Sequence, residues 1–439
     1  MNRNPFLAFI IALGAATASY AASKPTYTAI YYATSKTSDL VGIAEGAPGV
    51  FFLNAGSVEI FSVAGGRATI LASFSSPPYE VGSGPGVIAA NGLLYSSVQQ
   101  VGSGNIFSVG PTAGTMTTYP SSSYALIPVA GNLPDGNLFG MAGSASGSTY
   151  YLANIDTTGN VTPFYTFPST DRYPGVPIYG SDGNFYGVAQ PYTTGQNAYF
   201  YKVTPSGTAT TVATLPFLMT AFPGGGLVLQ GSDGNFYGVQ STGLGCSKGN
   251  QHGGVYQLTP AGQYTLLHDF GVCGNGIVNS LIEGSDGNLY GAIEGDSAIF
   301  RLTKSGEYKV LFSPSNGTTQ GLCLCRLIQG NDGKIYGSAA GGGPGGFGVV
   351  FSLDVGLPKP APTAQRFAPQ SGPPGTRVRI WGNNLFEASV QFNGADGKDA
   401  VASGPNYVWA TVPEGATSGP VTVTTPGGTS MTVASFTVR

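Results

Sequence analysis

Short runs of alternating apolar and polar positions, cut every few residues by Gly, Pro, Asn or Asp, fill this chain. Residues 280–312 show the pattern in full. Ser280-Leu-Ile-Glu283 is a short apolar strand, Asp286-Gly-Asn288 a turn, and Leu289-Tyr-Gly-Ala-Ile293 a second strand. Ala298-Ile-Phe-Arg-Leu-Thr303 is the third, Lys304-Ser-Gly306 a second turn, and Tyr308-Lys-Val-Leu-Phe312 the fourth. β-Branched and aromatic residues between turn clusters predict strands. Asp-Gly and Ser-Gly supply the positive φ that hairpins need. The unit is four strands joined by tight turns.

That unit repeats. Gly180-Ser-Asp-Gly-Asn-Phe-Tyr-Gly187 returns as Gly231-Ser-Asp-Gly-Asn-Phe-Tyr-Gly238, Gly284-Ser-Asp-Gly-Asn-Leu-Tyr-Gly291 and Gly330-Asn-Asp-Gly-Lys-Ile-Tyr-Gly337. Weaker copies precede it at residues 134–140, 90–95 and 47–52. The turn positions 48, 91, 135, 182, 233, 286 and 332 are separated by 43, 44, 47, 51, 53 and 46 residues. A period of roughly 40–50 residues made of short strands predicts propeller blades, and seven turns predict seven of them. Gly348-Val-Val-Phe-Ser-Leu353 has the look of a third strand with no fourth after it. Tyr27-Thr-Ala-Ile-Tyr31 has the look of a fourth strand with no third before it. Pairing the two would close the ring and remove open sheet edges.

The repeat stops at a proline-rich linker, 357–362. Beyond it, Val378-Arg-Ile-Trp381, Val390-Gln-Phe392, Tyr407-Val-Trp-Ala-Thr-Val412, Val421-Thr-Val-Thr424 and Phe436-Thr-Val438 predict a small β-sandwich over 363–439. Phe367-Ala-Pro-Gln-Ser-Gly372, Gly382-Asn-Asn-Leu385, Val412-Pro-Glu-Gly-Ala-Thr417 and Thr425-Pro-Gly-Gly-Thr429 closely resemble the IPT/TIG family of immunoglobulin-like domains. The resemblance implies an extracellular spacer or binding module. The repeats over 22–356 resemble bacterial exported tandem-repeat proteins with Gly-Ser-Asp-Gly-Asn-Leu-Tyr-Gly units, which implies localisation and fold rather than an activity. The expected fold class is all-β: a seven-bladed β-propeller followed by an immunoglobulin-like β-sandwich.

Residues 1–21 carry Arg3, an apolar stretch over 6–15 and Ser19-Tyr20-Ala21, the marks of a secretory signal peptide. The apolar stretch falls short of the roughly 20 residues of a membrane span. A secreted protein, extracellular or periplasmic and monomeric, is expected. Charged residues are only 9% of the chain and the net charge is −3, with no run of Lys or Arg. Nucleic acid is therefore not an expected partner, because phosphate binding needs a basic surface. Gly at 69 residues, with 24 Tyr and 24 Phe, fits many short strands and tight turns. Cys246, Cys273, Cys323 and Cys325 are disulfide candidates in an exported chain. Four cysteines allow three pairings; Cys246–Cys273 is favoured, and a metal site lacks paired C-x-x-C units.

Catalytic chemistry is thin. His252 lies in a long loop, and His268 precedes Asp269 on a strand, where neighbours point to opposite sides. Glu283, Glu294 and Asp296 have no spacing that pairs them as a glycosidase needs. The repeated Asp turns read as structural rather than as Ca²⁺ ligands, since a ring spreads them apart. No catalytic, cofactor or metal residues are assigned. The residues preceding the turn phrase, Tyr179, Gln230, Glu283 and Gln329, are ligand-binding candidates together with His252, with hydrated channel walls as the alternative. The expected function is a non-catalytic binding or adhesion scaffold for a glycan or an extracellular protein. A secreted lyase or hydrolase acting at the channel mouth is the alternative.

Overall fold

The computed structural model describes residues 25–34, 40–55, 59–74, 80–81, 86–89, 91–100, 103–121, 124–126, 129–144, 149–172, 174–191, 196–216, 227–240, 253–270, 278–293, 298–313, 324–402 and 404–439. Among these residues every regular element is a strand, and no helix is long and apolar enough to cross a membrane.

Up to residue 354 the strands form antiparallel sheets of four or five, numbered here in chain order by their turn phrases. Sheet 1 contains Leu40–Ala47, Val50–Ala55, Glu59–Ala64 and Arg67–Ser73; sheet 6 contains Val278–Glu283, Leu289–Ile293, Ala298–Leu302 and Tyr308–Phe312. Sheet 7 contains Leu324–Gln329, Ile335–Ala339 and Val349–Asp354, and its fourth strand is the N-terminal Thr26–Tyr32. Sheets 2, 3 and 4 differ from the expectation of one unbroken first strand. Each has two short pieces there, such as Asp171–Arg172 and Ile178–Tyr179 in sheet 4. Pro174 and Pro177 between those pieces cannot donate to the ladder.

The first strands follow one another around a ring. Leu324–Gln329 lies beside Val278–Glu283 on one side and beside Leu40–Ala47, the start of the ring, on the other. The core lies between successive sheets. Tyr237, Val239 and Val255 of sheet 5, for example, pack on Leu281, Leu289 and Phe300 of sheet 6. Middle strands are therefore buried on both faces, as Leu289–Ile293 is throughout, whereas the outer Tyr308–Phe312 has no fully buried position. This explains why inner strands read as continuous apolar runs and outer strands as alternating ones.

The last glycine of the repeated phrase has a packing cause. Gly187, Gly238, Gly291 and Gly337 sit directly across the ladder from Tyr201, Tyr256, Phe300 and Phe351. A Cβ on Gly291 would lie 2.1 Å from the Phe300 ring. The aromatic ring lies over the bare glycine, and no larger residue fits beneath it.

After residue 362 two sheets face each other. One is Thr363–Ala368, Arg377–Asn383, Tyr407–Thr411 and Lys398–Ala402; the other is built on Ser389–Phe392, Gly419–Thr425 and Gly428–Val438. Val378, Ile380, Val408, Val390, Val423 and Phe436 fill the space between them. Thr363–Ala368 and Lys398–Ala402, with few apolar positions, are strands that alternation alone did not mark.

Candidate functional site

In a four-stranded unit, the turns between strands one and two and between strands three and four emerge on the same side of the ring. The remaining connections emerge on the other side. The two rims differ in chemistry.

The turn rim is built from the repeated phrase. In each strong copy the Asp carboxylate points back into its own hairpin. Asp182 accepts from the Asn184 backbone N–H (3.2 Å) and the Tyr186 hydroxyl (2.7 Å). Asp233, Asp286 and Asp332 accept in the same way from Tyr237 (2.7 Å), Tyr290 (3.0 Å) and Tyr336 (2.9 Å). Gly183, Gly234, Gly287 and Gly333 take the positive φ each turn needs. Burial opposes the charge on Asp182, but hydrogen bonds from Lys202, Tyr186 and Asn184 outweigh it and hold the carboxyl well below its usual range. The same balance, with Lys304 as the cation, brings Asp233 to about 2. Among the described residues no three acidic, His or Cys side chains gather as metal ligands.

The candidates Tyr179, Gln230, Glu283 and Gln329 all end first strands on this rim, and three of them tie one sheet to the preceding one. Gln230 Oε1 accepts from the Ser181 N–H (2.7 Å), and Gln329 Oε1 accepts from the Ser285 N–H (2.8 Å). Glu283 takes both the N–H (2.7 Å) and the hydroxyl (2.6 Å) of Ser232. Glu45 closes the series by accepting from the Asn331 N–H at 2.9 Å. Lys304 adds a second tie across sheets 5 and 6, reaching Glu283 at 2.7 Å and Asp233 at 3.2 Å. This brings acidic and basic groups together, but every one of them already holds a protein partner. We call this repeated inter-sheet bond a latch.

Between sheets 2 and 3 the bond is a different one, Asn132 Nδ2 donating to the Ile88 carbonyl at 2.9 Å, and at two further junctions the latch is missing for chemical reasons. Between sheets 3 and 4, the position of Ser181 is taken by Pro134, which has no N–H to give. Tyr179 holds the acceptor position, packed edge-on to Phe185 (5.2 Å) and near Phe139 (6.2 Å). Between sheets 1 and 2 the acceptor position is Ile88, whose side chain has no polar atom.

The C-terminal sandwich lies over this rim. The Pro358 carbonyl accepts from Ser285 Oγ (2.5 Å) and Gln329 Nε2 (3.0 Å). Asn406 donates to the Ile88 carbonyl, and Arg366 lies in the field of Asp135. Sheets 2, 3, 6 and 7 thus all meet the linker or the sandwich. The sandwich also brings together residues that the linear sequence scatters. Arg366 lies over Trp381 (3.8 Å), Arg379 over Tyr407 (4.0 Å) and Arg377 over Trp409 (4.7 Å), forming a cation–aromatic ladder on one sheet face. Only the period-two spacing of Arg377, Arg379 and Trp381 hinted at it.

On the opposite rim, sheet 4 carries a cleft of about 430 Å³ lined by Pro191, Gln196, Asn197, Tyr199, Thr211 and Thr214. Tyr199, Thr211 and Thr214 project from the side of sheet 4 that packs against sheet 3. The Tyr199 hydroxyl donates to Asp171, a carboxylate only 7% exposed. Burial pushes the Asp171 carboxyl up, with the Tyr199 bond opposing. Sequence reasoning did not single out this pair: Thr170-Asp-Arg-Tyr173 reads as loop, and its partner is 28 residues away.

His268 is a packing residue. Its ring stacks on Tyr308 (4.2 Å) and meets Phe270 edge-on (4.8 Å), and burial lowers its pKa. His252, Cys246, Cys273, Cys323, Glu294 and Asp296 lie outside the described residues, as does the segment 1–24. Cys325 falls in the strand Leu324–Gln329, and its side chain is not described.

Residues 173–359 match the Gloeobacter/Verrucomicrobia repeat family. No curated protein matches the chain. Among solved structures, a streptogramin B lyase is similar in fold, with a TM-score of 0.54 and 16% identity over 76% of this chain and 98% of that one. The virginiamycin B lyase from Staphylococcus aureus follows at a TM-score of 0.52 and 16% identity, over 75% and 98%. YCF48 from Cyanidioschyzon merolae gives 0.50 at 12% identity, over 74% and 98%. At these identities the likeness is one of fold alone. The repeat match and the shared fold identify a repeat β-propeller protein.

Proposed function

We propose that the chain is an exported, non-catalytic binding scaffold: a seven-bladed propeller whose loop rim takes a glycan or an extracellular protein. The immunoglobulin-like IPT/TIG domain at 363–439 caps the opposite rim. A signal peptide at 1–21 and a Cys246–Cys273 disulfide belong to the same reading.

The observation that carries it is the contrast between the rims. On the turn rim, which the linker and the sandwich meet at sheets 2, 3, 6 and 7, acids and bases are bonded to one another. On the loop rim, the cleft of sheet 4 presents amides, hydroxyls and an aromatic ring, the groups that bind neutral, hydroxyl-rich ligands without transforming them. The lyase or hydrolase alternative rests on the meeting of Glu283, Lys304 and Ser232, groups already paired with one another.

The test is a glycan array and an envelope-protein pull-down with purified protein 22–439, with the bound glycans then analysed for cleavage. Binding with intact ligand is the expected result. New reducing ends or unsaturated sugars would replace the scaffold reading with the enzymatic one.

A further inference from the structure

We propose that the cleft on sheet 4 is a saccharide subsite, in which Tyr199, oriented by Asp171, accepts a hydrogen bond from a sugar hydroxyl while the Asn197 and Gln196 amides donate to neighbouring hydroxyl oxygens. This rests on the binding reading above and names its site and ligand class.

The hydrogen-bond inventory supports it. The Tyr199 hydroxyl has one hydrogen, and it is committed to Asp171. The phenolic oxygen therefore offers its remaining lone pairs toward a donor, and the carboxylate behind it makes that oxygen a stronger acceptor. The Asn and Gln side chains at 197 and 196 supply N–H donors, and Thr211 and Thr214 supply hydroxyls that donate or accept. Gln190 Nε2 donates to the Gln196 carbonyl at 3.4 Å, a long bond that ties this edge of the cleft to the second strand of the sheet. Pro191 and the Tyr199 ring give apolar surface for the C–H face of a pyranose. The volume of about 430 Å³ lies within the roughly 300–1,000 Å³ of small-ligand sites.

Asp171 supplies the second argument. It is 7% exposed, and its one side-chain hydrogen bond among the described residues comes from Tyr199. Among the described side chains no cation pairs with it, and a buried carboxylate left without one costs stability. Such a group is retained where it serves a site. Among the described residues its one side-chain bond fixes the hydroxyl of Tyr199, a residue that lines the cleft. Among the described residues no charged side chain lines the cleft, so the ligand it suits is a neutral sugar rather than a uronate or an amine.

The experiment uses the mature protein in affinity electrophoresis against xylan, mannan, galactan, β-glucan and chito-oligosaccharides, with two tryptophan variants. Thr214→Trp fills the cleft from an exposed position of the outer strand, and Thr210→Trp adds the same bulk where the residue does not line the cleft. We expect at least one of these glycans to bind. Retardation should fall tenfold or more in Thr214→Trp and stay unchanged in Thr210→Trp, with equal melting temperatures. Tyr199→Phe should lose most of the same binding. Equal binding by wild type and Thr214→Trp would overturn the subsite and leave the binding scaffold standing, with its site elsewhere. Failure of the wild type to bind any of the five would overturn the saccharide assignment. The protein pull-down then decides whether the scaffold reading itself survives.

Discussion

The junctions joining sheets 4, 5, 6, 7 and 1 are latched on the turn rim, whereas the junction between sheets 3 and 4 is not. At the latched junctions a Gln or Glu from one sheet holds a backbone N–H of its neighbour at 2.7–2.9 Å. At the unlatched one, Pro134 and Tyr179 occupy the donor and acceptor positions, and the Tyr179 ring lies near Phe139 of the neighbouring sheet in place of the hydrogen bond. The cleft lies on the side of sheet 4 that faces this same unlatched neighbour, at the opposite rim. A repeat that carries the same bond at junction after junction makes a uniform wall.

The repeated frame should break most severely where glycine admits an aromatic ring. Gly291→Ala places a methyl 2.1 Å from Phe300 in a fully buried layer. Overpacking of this kind costs about 2–3 kcal/mol, read as a lower midpoint in urea unfolding. Breaking one latch should cost less. Glu283→Ala strips two partners from Ser232 and one from Lys304. A loss of about 1–2 kcal/mol is expected from charge-assisted bonds at partly exposed groups. No loss would mean that water replaces the latch without cost.

Much of the frame was legible in the sequence because its causes are local. Asp-Gly-Asn forms its turn from its own side chains. Thr26–Tyr32 could be matched to Val349–Asp354 because one end of the chain lacked what the other offered. The latches were half legible. Gln230, Glu283 and Gln329 stood out as polar residues ending apolar strands, but their partners lie 44–51 residues away in another repeat. Nothing local points to Ser181 as the group that Gln230 holds. The Tyr199–Asp171 pair was hidden for a further reason. It sits where sheet 4 departs from the repeat, so comparing copies gives no second example.

Acid should separate the two kinds of carboxylate. Asp182 and Asp233 have folded pKa values below the unfolded range, so their stabilisation is present above about pH 4 and fades as pH falls toward 2. Asp171 is shifted up and behaves oppositely: its folded form favours the proton, and stability present in acid is lost as pH rises through its folded pKa. Asp171→Asn keeps an acceptor for Tyr199 and removes the charge. The variant should melt higher than wild type at pH 7, by about 1 kcal/mol, with the gap closing as pH falls through the Asp171 pKa. A gap that is independent of pH would mean that the carboxylate is not paying a burial cost.

The smallest effect tests the comparison most directly. Pro134→Ser restores the missing N–H, and Tyr179→Gln restores the acceptor that other junctions carry. Each change alone should destabilise. The first gives up the rigidity of proline, and the second gives up the ring that packs on Phe139 and Phe185. If the latch is a transferable device, the double variant should recover a coupling of about 0.5–1 kcal/mol in a double-mutant cycle, the net worth of one hydrogen bond. Strict additivity would mean that sheets 3 and 4 stand too far apart on this rim to be latched. The unlatched junction would then be a difference of sheet placement, of which the proline is a consequence rather than the cause.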